Sequence, residues 1–139
     1  MSEIIASKLE DNNQFLTIYD PTCGGGNLLF GVEDIIKDNI SFIEKQFDII
    51  VANPPYGVDW KGYQKDIKND TTERFIDLPS ISDGQFLFTQ HILYHLKNEG
   101  LSIVVHNGST LFSGDAGSGE SNIRKHFFDN DYVEAIIQM

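Results

Sequence analysis

A short stretch, Asn53-Pro54-Pro55-Tyr56, carries the side chains of this sequence that are best placed to bind a ligand. It directly follows the apolar run Phe47–Ala52, which is short and rich in β-branched residues, as buried parallel strands are. Two consecutive prolines cannot continue a strand ladder, because neither has an N–H group to donate. The strand is therefore predicted to end at Asn53. This leaves the Asn amide and the Tyr ring at the carboxyl end of the strand, where open α/β sheets bind ligands.

A glycine-rich turn earlier in the chain is a second candidate site. A predicted strand over residues 15–19 leads into Asp20-Pro21-Thr22-Cys23-Gly24-Gly25-Gly26 and then into a predicted helix. Glycines permit positive φ and let backbone N–H groups approach a ligand closely, and a helix amino terminus behind them attracts anions. A plain turn into a helix has the same composition. Ligand binding and a purely structural turn therefore both remain open at this point.

Strand and helix patterns alternate along the chain. Helices are predicted over residues 2–9, 27–45, 83–98 and 121–129, and strands over residues 15–19, 47–52, 101–105 and 132–137. Gly100 is predicted to cap the third helix. The alternation predicts a single α/β domain, residues 1–139, with a mostly parallel sheet and right-handed crossovers.

The polar stretch over residues 58–82 has two interpretations. It contains Trp60 and Tyr63 among many charged side chains. One interpretation is a solvated, mobile loop, and the other is a flap beside a substrate that presents exposed aromatic rings.

The composition limits the possible functions. The 139 residues carry a net charge of −11, whereas an independent nucleic-acid binder normally has a basic face. Cys23 is the only cysteine, so an internal disulfide is excluded, and neither a signal pattern nor a membrane-length apolar run is present. A cytoplasmic protein is expected. His91 and His95 have a zinc-like spacing, but no Glu follows His91, so a partly exposed helix face without metal is predicted.

The two candidate sites together resemble the motif pair of N6-adenine DNA methyltransferases. More narrowly, they resemble the methyltransferase (modification) subunit of type I restriction-modification systems. Three further stretches fit that family, and the resemblance covers essentially the whole chain. They are Asp83-Gly84-Gln85-Phe86, residues 104–112 (Val-Val-His-Asn-Gly-Ser-Thr-Leu-Phe) and Ile123-Arg124-Lys125.

The resemblance implies a Rossmann-like methyltransferase fold and a role for each motif residue. The Asn53 side-chain oxygen and the Pro54 carbonyl would accept hydrogen bonds from the amine of a flipped adenine. Pro54 and Pro55 would preorganise these acceptors, and Tyr56 would stack on the base. No metal is needed. The methionine end of the cofactor, S-adenosylmethionine, would be wrapped by Asp20, Pro21, Thr22, Cys23, Gly24 and Gly26.

The spacing of the motifs departs from the family. Only 28 residues run from Asp20 to Phe47, whereas the family fold places two further strands and their helices in this interval. The sheet is therefore predicted to be truncated, with its two motif-bearing strands paired and its first strand exposed as an edge. Three explanations of the short interval are possible. The intervening helix lies on the opposite face of the sheet, or it keeps its face and the crossover is left-handed, or a segment is missing from the sequence. Glu33 is a candidate remnant of the acid that binds the cofactor ribose.

The resemblance also implies partners. Double-stranded DNA would be reached through a specificity subunit, and a restriction subunit would complete the complex. Two alternatives remain: a catalytically inactive remnant or interaction module, and a nucleotide-binding domain of unrelated function. His106 stands where the family tends to have proline and is predicted to take no part in the chemistry.

Overall fold

The computed structural model describes residues 17–22 and 45–138, and three parallel strands form its sheet. The strands are β1 (Ile18–Tyr19), β2 (Phe47–Ala52) and β3 (Leu96–Val104), in the spatial order β1-β2-β3. Ile49 of β2 pairs with Ile18 on one side and with Leu101 on the other. The predicted α/β class and parallel sheet are confirmed for this part of the chain. The two strands that lead into the motifs are neighbours, and β1 is an edge of the described sheet.

The central strand β2 is buried because its side chains are apolar on both faces. Ile49, Ile50 and Ala52 are each at most 1% exposed. Phe47, Ile50 and Ala52 form one core cluster with Ile92 of a neighbouring helix. The predicted bounds of this strand are confirmed, and five of its six residues are apolar, as expected for a buried parallel strand.

In the described part of the chain, three α-helices and two short 3₁₀ helices accompany the sheet. The α-helices are α1 (Gln64–Lys68), α2 (Gln85–His95) and α3 (Gly119–Asp129), and the 3₁₀ helices span Lys61–Tyr63 and Gly108–Leu111. None of these helices is long and apolar enough to cross a membrane.

The predicted end of α2 is wrong. The helix stops at His95 and the chain continues directly into β3, so Gly100 lies within a strand instead of capping the helix. The pairing advances by two residues in β2 (Phe47 to Ile49) but by five in β3 (Leu96 to Leu101), which makes a bulge. A Cβ atom on Gly100 would lie 3.0 Å from the Asp48 carbonyl oxygen. Gly100 is therefore suited to a close approach of two strands.

The predicted last strand is also wrong. Residues 132–138 form no regular element and pair with no strand among the described residues. Val133 instead packs against a cluster of Phe86, Ile123 and Phe127, while Ile136 and Ile137 are exposed. Their strand-like pattern has no described partner strand to pair with.

Residues 58–82 are folded, so the prediction of exposed aromatic rings and a solvated loop is wrong. Trp60 is 1% exposed and lies in a cluster with Ile67 and Leu87. Its indole Nε1–H donates to the Ser80 carbonyl oxygen at 2.9 Å, which ties the two ends of the segment together. The predicted helices over residues 2–9 and 27–45, the crossover between the motifs, and Glu33 lie outside the described residues.

Candidate active site

The carboxyl ends of β1 and β2 bring the two predicted motifs together. Asp20, Pro21 and Thr22 follow β1, and Asn53 follows β2, at the same edge of the sheet. The Asn53 backbone N–H donates to the Thr22 hydroxyl oxygen at 3.0 Å. This contact spans 31 positions of sequence and joins the two motifs directly. Cys23, Gly24 and Gly26, also predicted to bind the cofactor, lie outside the described residues.

The turn after β1 is organised by Asp20. Its Oδ1 accepts a hydrogen bond from the Thr22 backbone N–H at 2.7 Å and another from the Thr22 hydroxyl at 2.7 Å. Asp side chains commonly stabilise turns in this way, by binding groups two residues further along. Asp20 is nevertheless exposed. An exposed carboxylate therefore lies at the end of β1, next to the second motif.

The second motif exposes its two polar ends and buries its first proline. Asn53 and Tyr56 are exposed, with Tyr56 at 48%, whereas Pro54 is fully buried and Pro55 is half-buried. The Tyr56 hydroxyl donates to Asn53 Oδ1 at 3.2 Å. Gly57 then takes a φ of +62°, which glycine adopts without strain. An exposed amide and an exposed aromatic ring therefore lie side by side at the end of β2.

A third strand end lies beside this motif. The Val105 N–H donates to the Ala52 carbonyl oxygen at 2.9 Å, so β3 ends next to Asn53. The Asn107 N–H donates to the side-chain oxygen of Gln85, which is 1% exposed at the start of α2. Gln85 in turn donates to the Asp83 carboxylate at 2.9 and 3.1 Å. Asp83 and Gln85 belong to a stretch that resembles the family, but their sequence pattern did not indicate a place at the site.

His106 is held by helix α2 at the same strand end. The Thr89 hydroxyl donates to the Gln85 carbonyl oxygen, so it accepts the second hydrogen bond, at 2.9 Å, from Nε2 of His106. Burial lowers the pKa of His106, and the Asp83 carboxylate partly opposes this shift. A neutral His106 therefore links the strand to the helix. The prediction that it takes no part in the chemistry stays a prediction.

His91 and His95 are buried in this structure, at 3% and 1% exposure, so the predicted partly exposed helix face is wrong. His91 Nδ1 accepts from the Arg74 guanidinium at 3.0 Å, because arginine can only donate. Arg74 also forms a salt bridge with Asp70. The Nδ1–H group of His95 donates to the Lys45 carbonyl oxygen at 2.7 Å. Within residues 17–22 and 45–138, no group of three or more metal-binding side chains is assembled.

Comparison with known proteins decides the family. A profile of the N-6 DNA methylase family matches residues 38–139. The chain belongs to this family. The predicted resemblance is thereby confirmed. The matched region includes Asn53–Tyr56 and the end of β3, whereas Asp20–Thr22 precede it.

Similar proteins point to one kind of enzyme subunit. The chain is 33% identical over 100 residues to the type I restriction enzyme MpnII methylase subunit of Mycoplasma pneumoniae, across 69% of this chain and 18% of that protein. It is 28% identical over 113 residues to the type I restriction enzyme MjaIX methylase subunit of Methanocaldococcus jannaschii, across 76% of this chain and 19% of that protein. The chain thus spans about a fifth of the length of these relatives.

A solved structure supports the fold. The type I restriction-modification system methyltransferase subunit from Streptococcus thermophilus superposes with a TM-score of 0.65, over 90% of this chain and 35% of that one. The sequences are 22% identical, so this similarity concerns the fold alone.

Proposed function

We propose that this chain forms part of an S-adenosylmethionine-dependent DNA adenine N6-methyltransferase of the type I restriction kind. The observation that carries the proposal is the Asn53–Thr22 hydrogen bond, which joins the two motifs at one edge of the sheet. Membership of the N-6 DNA methylase family supports methyl transfer as the reaction. The motif residues are proposed to hold the amine that accepts the methyl group. The whole 139-residue chain is proposed to be part of the catalytic domain.

The exocyclic amine of adenine is a poor nucleophile, because its lone pair is delocalised into the ring. In the proposed mechanism Asn53 Oδ1 accepts a hydrogen bond from this amine and directs the lone pair away from the ring plane. It also stabilises the positive charge that develops on the nitrogen. Pro54 is buried, so we expect the base to meet Asn53 first and the Pro54 carbonyl to contribute once the base is seated. Pro55 restricts the backbone that holds both acceptors.

Tyr56 and the Asp20 turn have separate proposed roles. The half-exposed ring of Tyr56 stacks on the flipped adenine, which offsets an unstacking cost of a few kcal/mol. Asp20 and Thr22, the latter through its main chain, are proposed to hold the methionine end of the cofactor together with Pro21 and the glycine-rich residues Cys23, Gly24 and Gly26. When bound, S-adenosylmethionine would supply an electrophilic methyl group: the new N–C bond forms as the sulfonium S–C bond breaks, sulfur keeps that electron pair as a thioether, and the amine loses one proton to solvent.

The proposed partners follow from charge. A net charge of −11 opposes binding of a polyanion by this chain alone. We therefore propose that double-stranded DNA is presented by a specificity subunit, within a complex that also contains a restriction subunit. The relatives quoted above are named as methylase subunits, which supports a multi-subunit assembly.

Substitution of Asn53 tests the proposed chemistry. In the protein isolated with its associated subunits, Asn53→Ala should lower kcat for methyl transfer to DNA by roughly 10²–10³-fold, as removal of one oriented polar group at a reacting centre does. Cofactor affinity, measured by calorimetry, should stay within about twofold, because Asn53 is not proposed to bind the cofactor. Asn98→Ala, at an exposed position of the β3 bulge, is the matched control.

The alternative function is an inactive methyltransferase-like interaction module. The interval of only 28 residues from Asp20 to Phe47, which is short for the family fold, favours it. A wild-type protein that shows no heat with millimolar cofactor and no methyl transfer would support this alternative. An Asn53→Ala variant as active as wild type would reject the proposed role of Asn53.

A further inference from the structure

The β1–β2 pair carries a threonine bridge at each end. At the amino end, the Thr17 hydroxyl donates to the Asp48 carboxylate at 2.7 Å and accepts the Asp48 backbone N–H at 3.1 Å. At the carboxyl end, the Thr22 hydroxyl donates to the Asp20 carboxylate at 2.7 Å and accepts the Asn53 backbone N–H at 3.0 Å. The two bridges have the same chemistry, but only the second lies at the candidate active site.

The backbone at Asn53 depends on this second bridge. Pro54 and Pro55 have no N–H group, so between Ala52 and Tyr56 the Asn53 N–H is the sole backbone donor. Thr22 accepts this hydrogen bond and thereby ties the motif to β1 after the strand pairing has ended.

The Thr22 hydroxyl forms its hydrogen bonds with other residues of the protein. A hydroxyl group has one proton, and Thr22 gives it to Asp20. One of its two lone pairs is used by Asn53, so the group has no further proton for a ligand. In this arrangement Thr22 is better suited to position Asn53 than to bind the cofactor through its hydroxyl.

We propose that Thr22 is a positioning residue that sets the backbone of Asn53, and through it the orientation of the Asn53 amide toward the target amine. This inference rests on the proposed methyl-transfer function. It gives Thr22 a role in the target-base half of the site in addition to its place in the cofactor turn.

Three variants test the inference in the protein isolated with its associated subunits. Thr22→Val keeps the side-chain shape and removes the hydroxyl, whereas Thr22→Ser keeps the hydroxyl and removes the methyl group. Thr17→Val removes the equivalent bridge at the other end of the same strand pair and is the matched control. The measurements are kcat for methyl transfer, the Kd of S-adenosylmethionine by calorimetry, and hydrogen exchange of the Asn53 backbone amide.

A positioning role predicts a distinct combination of results. Thr22→Val should lower kcat by about tenfold or more, since small misplacements of reacting groups are costly. The Kd of the cofactor should stay within about twofold, and exchange at the Asn53 amide should become faster. Thr22→Ser should restore most of the lost kcat, and Thr17→Val should leave kcat and Asn53 exchange close to wild type.

Other results would overturn the inference. Equal losses of kcat in Thr22→Val and Thr17→Val would show that both bridges act only through stability. A weaker cofactor Kd with unchanged kcat in Thr22→Val would make Thr22 a cofactor ligand instead. An active wild type with an unaffected Thr22→Val variant would reject the role of Thr22 alone, whereas an inactive wild type would reject the proposed function and this role with it.

Discussion

Tyr56 has a ring and a hydroxyl group that serve the site in different ways. The hydroxyl donates to Asn53 Oδ1, the atom proposed to accept a hydrogen bond from the adenine amine. An amide oxygen has two lone pairs, so it can accept from Tyr56 and from the amine together. The ring, at 48% exposure, is free to stack on a base.

Substitutions at Tyr56 should separate these contributions. Tyr56→Ala should weaken binding of the target base by about 1–3 kcal/mol, because it removes the aromatic stacking surface. Tyr56→Phe should retain most of that affinity, because the ring remains and only one exposed hydrogen bond is lost. The measurement is the affinity for DNA with the target adenine in a mismatch, compared with DNA that lacks the site. Equal losses in the two variants would assign the effect to the hydroxyl instead of the ring.

Among the elements, the segment over residues 58–82 depends most on packing that its sequence conceals. It is polar overall, yet Trp60, Ile67 and Leu87 form a buried cluster between the segment and helix α2. A second attachment is polar: Gln90 of α2 accepts from the Ile76 N–H at 2.9 Å and donates to the Asp77 carbonyl at 3.0 Å. The segment is therefore a folded connection between β2 and α2.

Removal of Trp60 should destabilise the fold. Trp60→Ala should lower the free energy of unfolding by about 3–5 kcal/mol, because it empties a buried site and leaves the Ser80 carbonyl without its partner. Phe112→Ala is the control, since Phe112 is 76% exposed, and surface changes usually stay within about 0.5 kcal/mol. Urea unfolding followed by circular dichroism measures both. Similar midpoints for the two variants would contradict the packing assigned to Trp60.

For the molecule as a whole, buried histidines couple stability to pH. Burial lowers the pKa of His91 well below its usual value, and the charges of His95 and Arg74 act in the same direction. Burial also lowers the pKa of His95, although its hydrogen bond to the Lys45 carbonyl opposes the shift. Both side chains therefore stay neutral in the folded state at a pH where the unfolded chain takes up protons.

The sign of the pH dependence follows from this difference. Below about pH 6.5 the unfolded histidines bind protons that the folded ones do not, so the free energy of unfolding should fall from pH 7 to pH 5. The decrease is at most about 1.4 kcal/mol per pH unit for each such histidine. His91→Gln keeps an acceptor for Arg74 and should reduce the slope, measured by urea unfolding at each pH. An unchanged slope would exclude His91 as a contributor.

The carboxylates act in a separate and more acidic range. Hydrogen bonds from Thr17 lower the pKa of Asp48, with Lys97 assisting. For Asp70, burial raises the pKa, but the bonds from Thr72 and the charge of Arg74 outweigh it and lower the pKa overall. Stability from these groups is present above about pH 4 and is lost as the pH falls further, below the histidine range.

Local sequence determined the features that depend on local chemistry. The apolar run of β2 and the two prolines after it specify a buried strand with an abrupt end, wherever the chain places that strand. The motif Asn53–Tyr56, together with the glycine-rich turn, carried the resemblance to the family for the same reason, since each is a run of consecutive residues that can be read without knowledge of the fold. The pattern of α3 likewise predicted a helix close to its observed bounds.

Only the tertiary structure decided features that depend on distant partners. Glycine is common at helix ends, so Gly100 was predicted to cap a helix. It lies in β3 instead, where the Asp48 carbonyl oxygen is 3.0 Å from the position that a Cβ atom would take. Trp60 lies in a polar stretch and His91 has a polar ring, yet both are buried, with partners that include residues 17 or more positions away: Ser80 and Leu87 for Trp60, and Arg74 for His91. The Thr22–Asn53 bridge links positions 31 residues apart, and the parallel pairing of β1 and β2 creates it. The spacing of apolar residues in a sequence indicates which face of a helix or strand is apolar. It does not indicate which elements become neighbours in the folded chain, and the contacts described above depend on that.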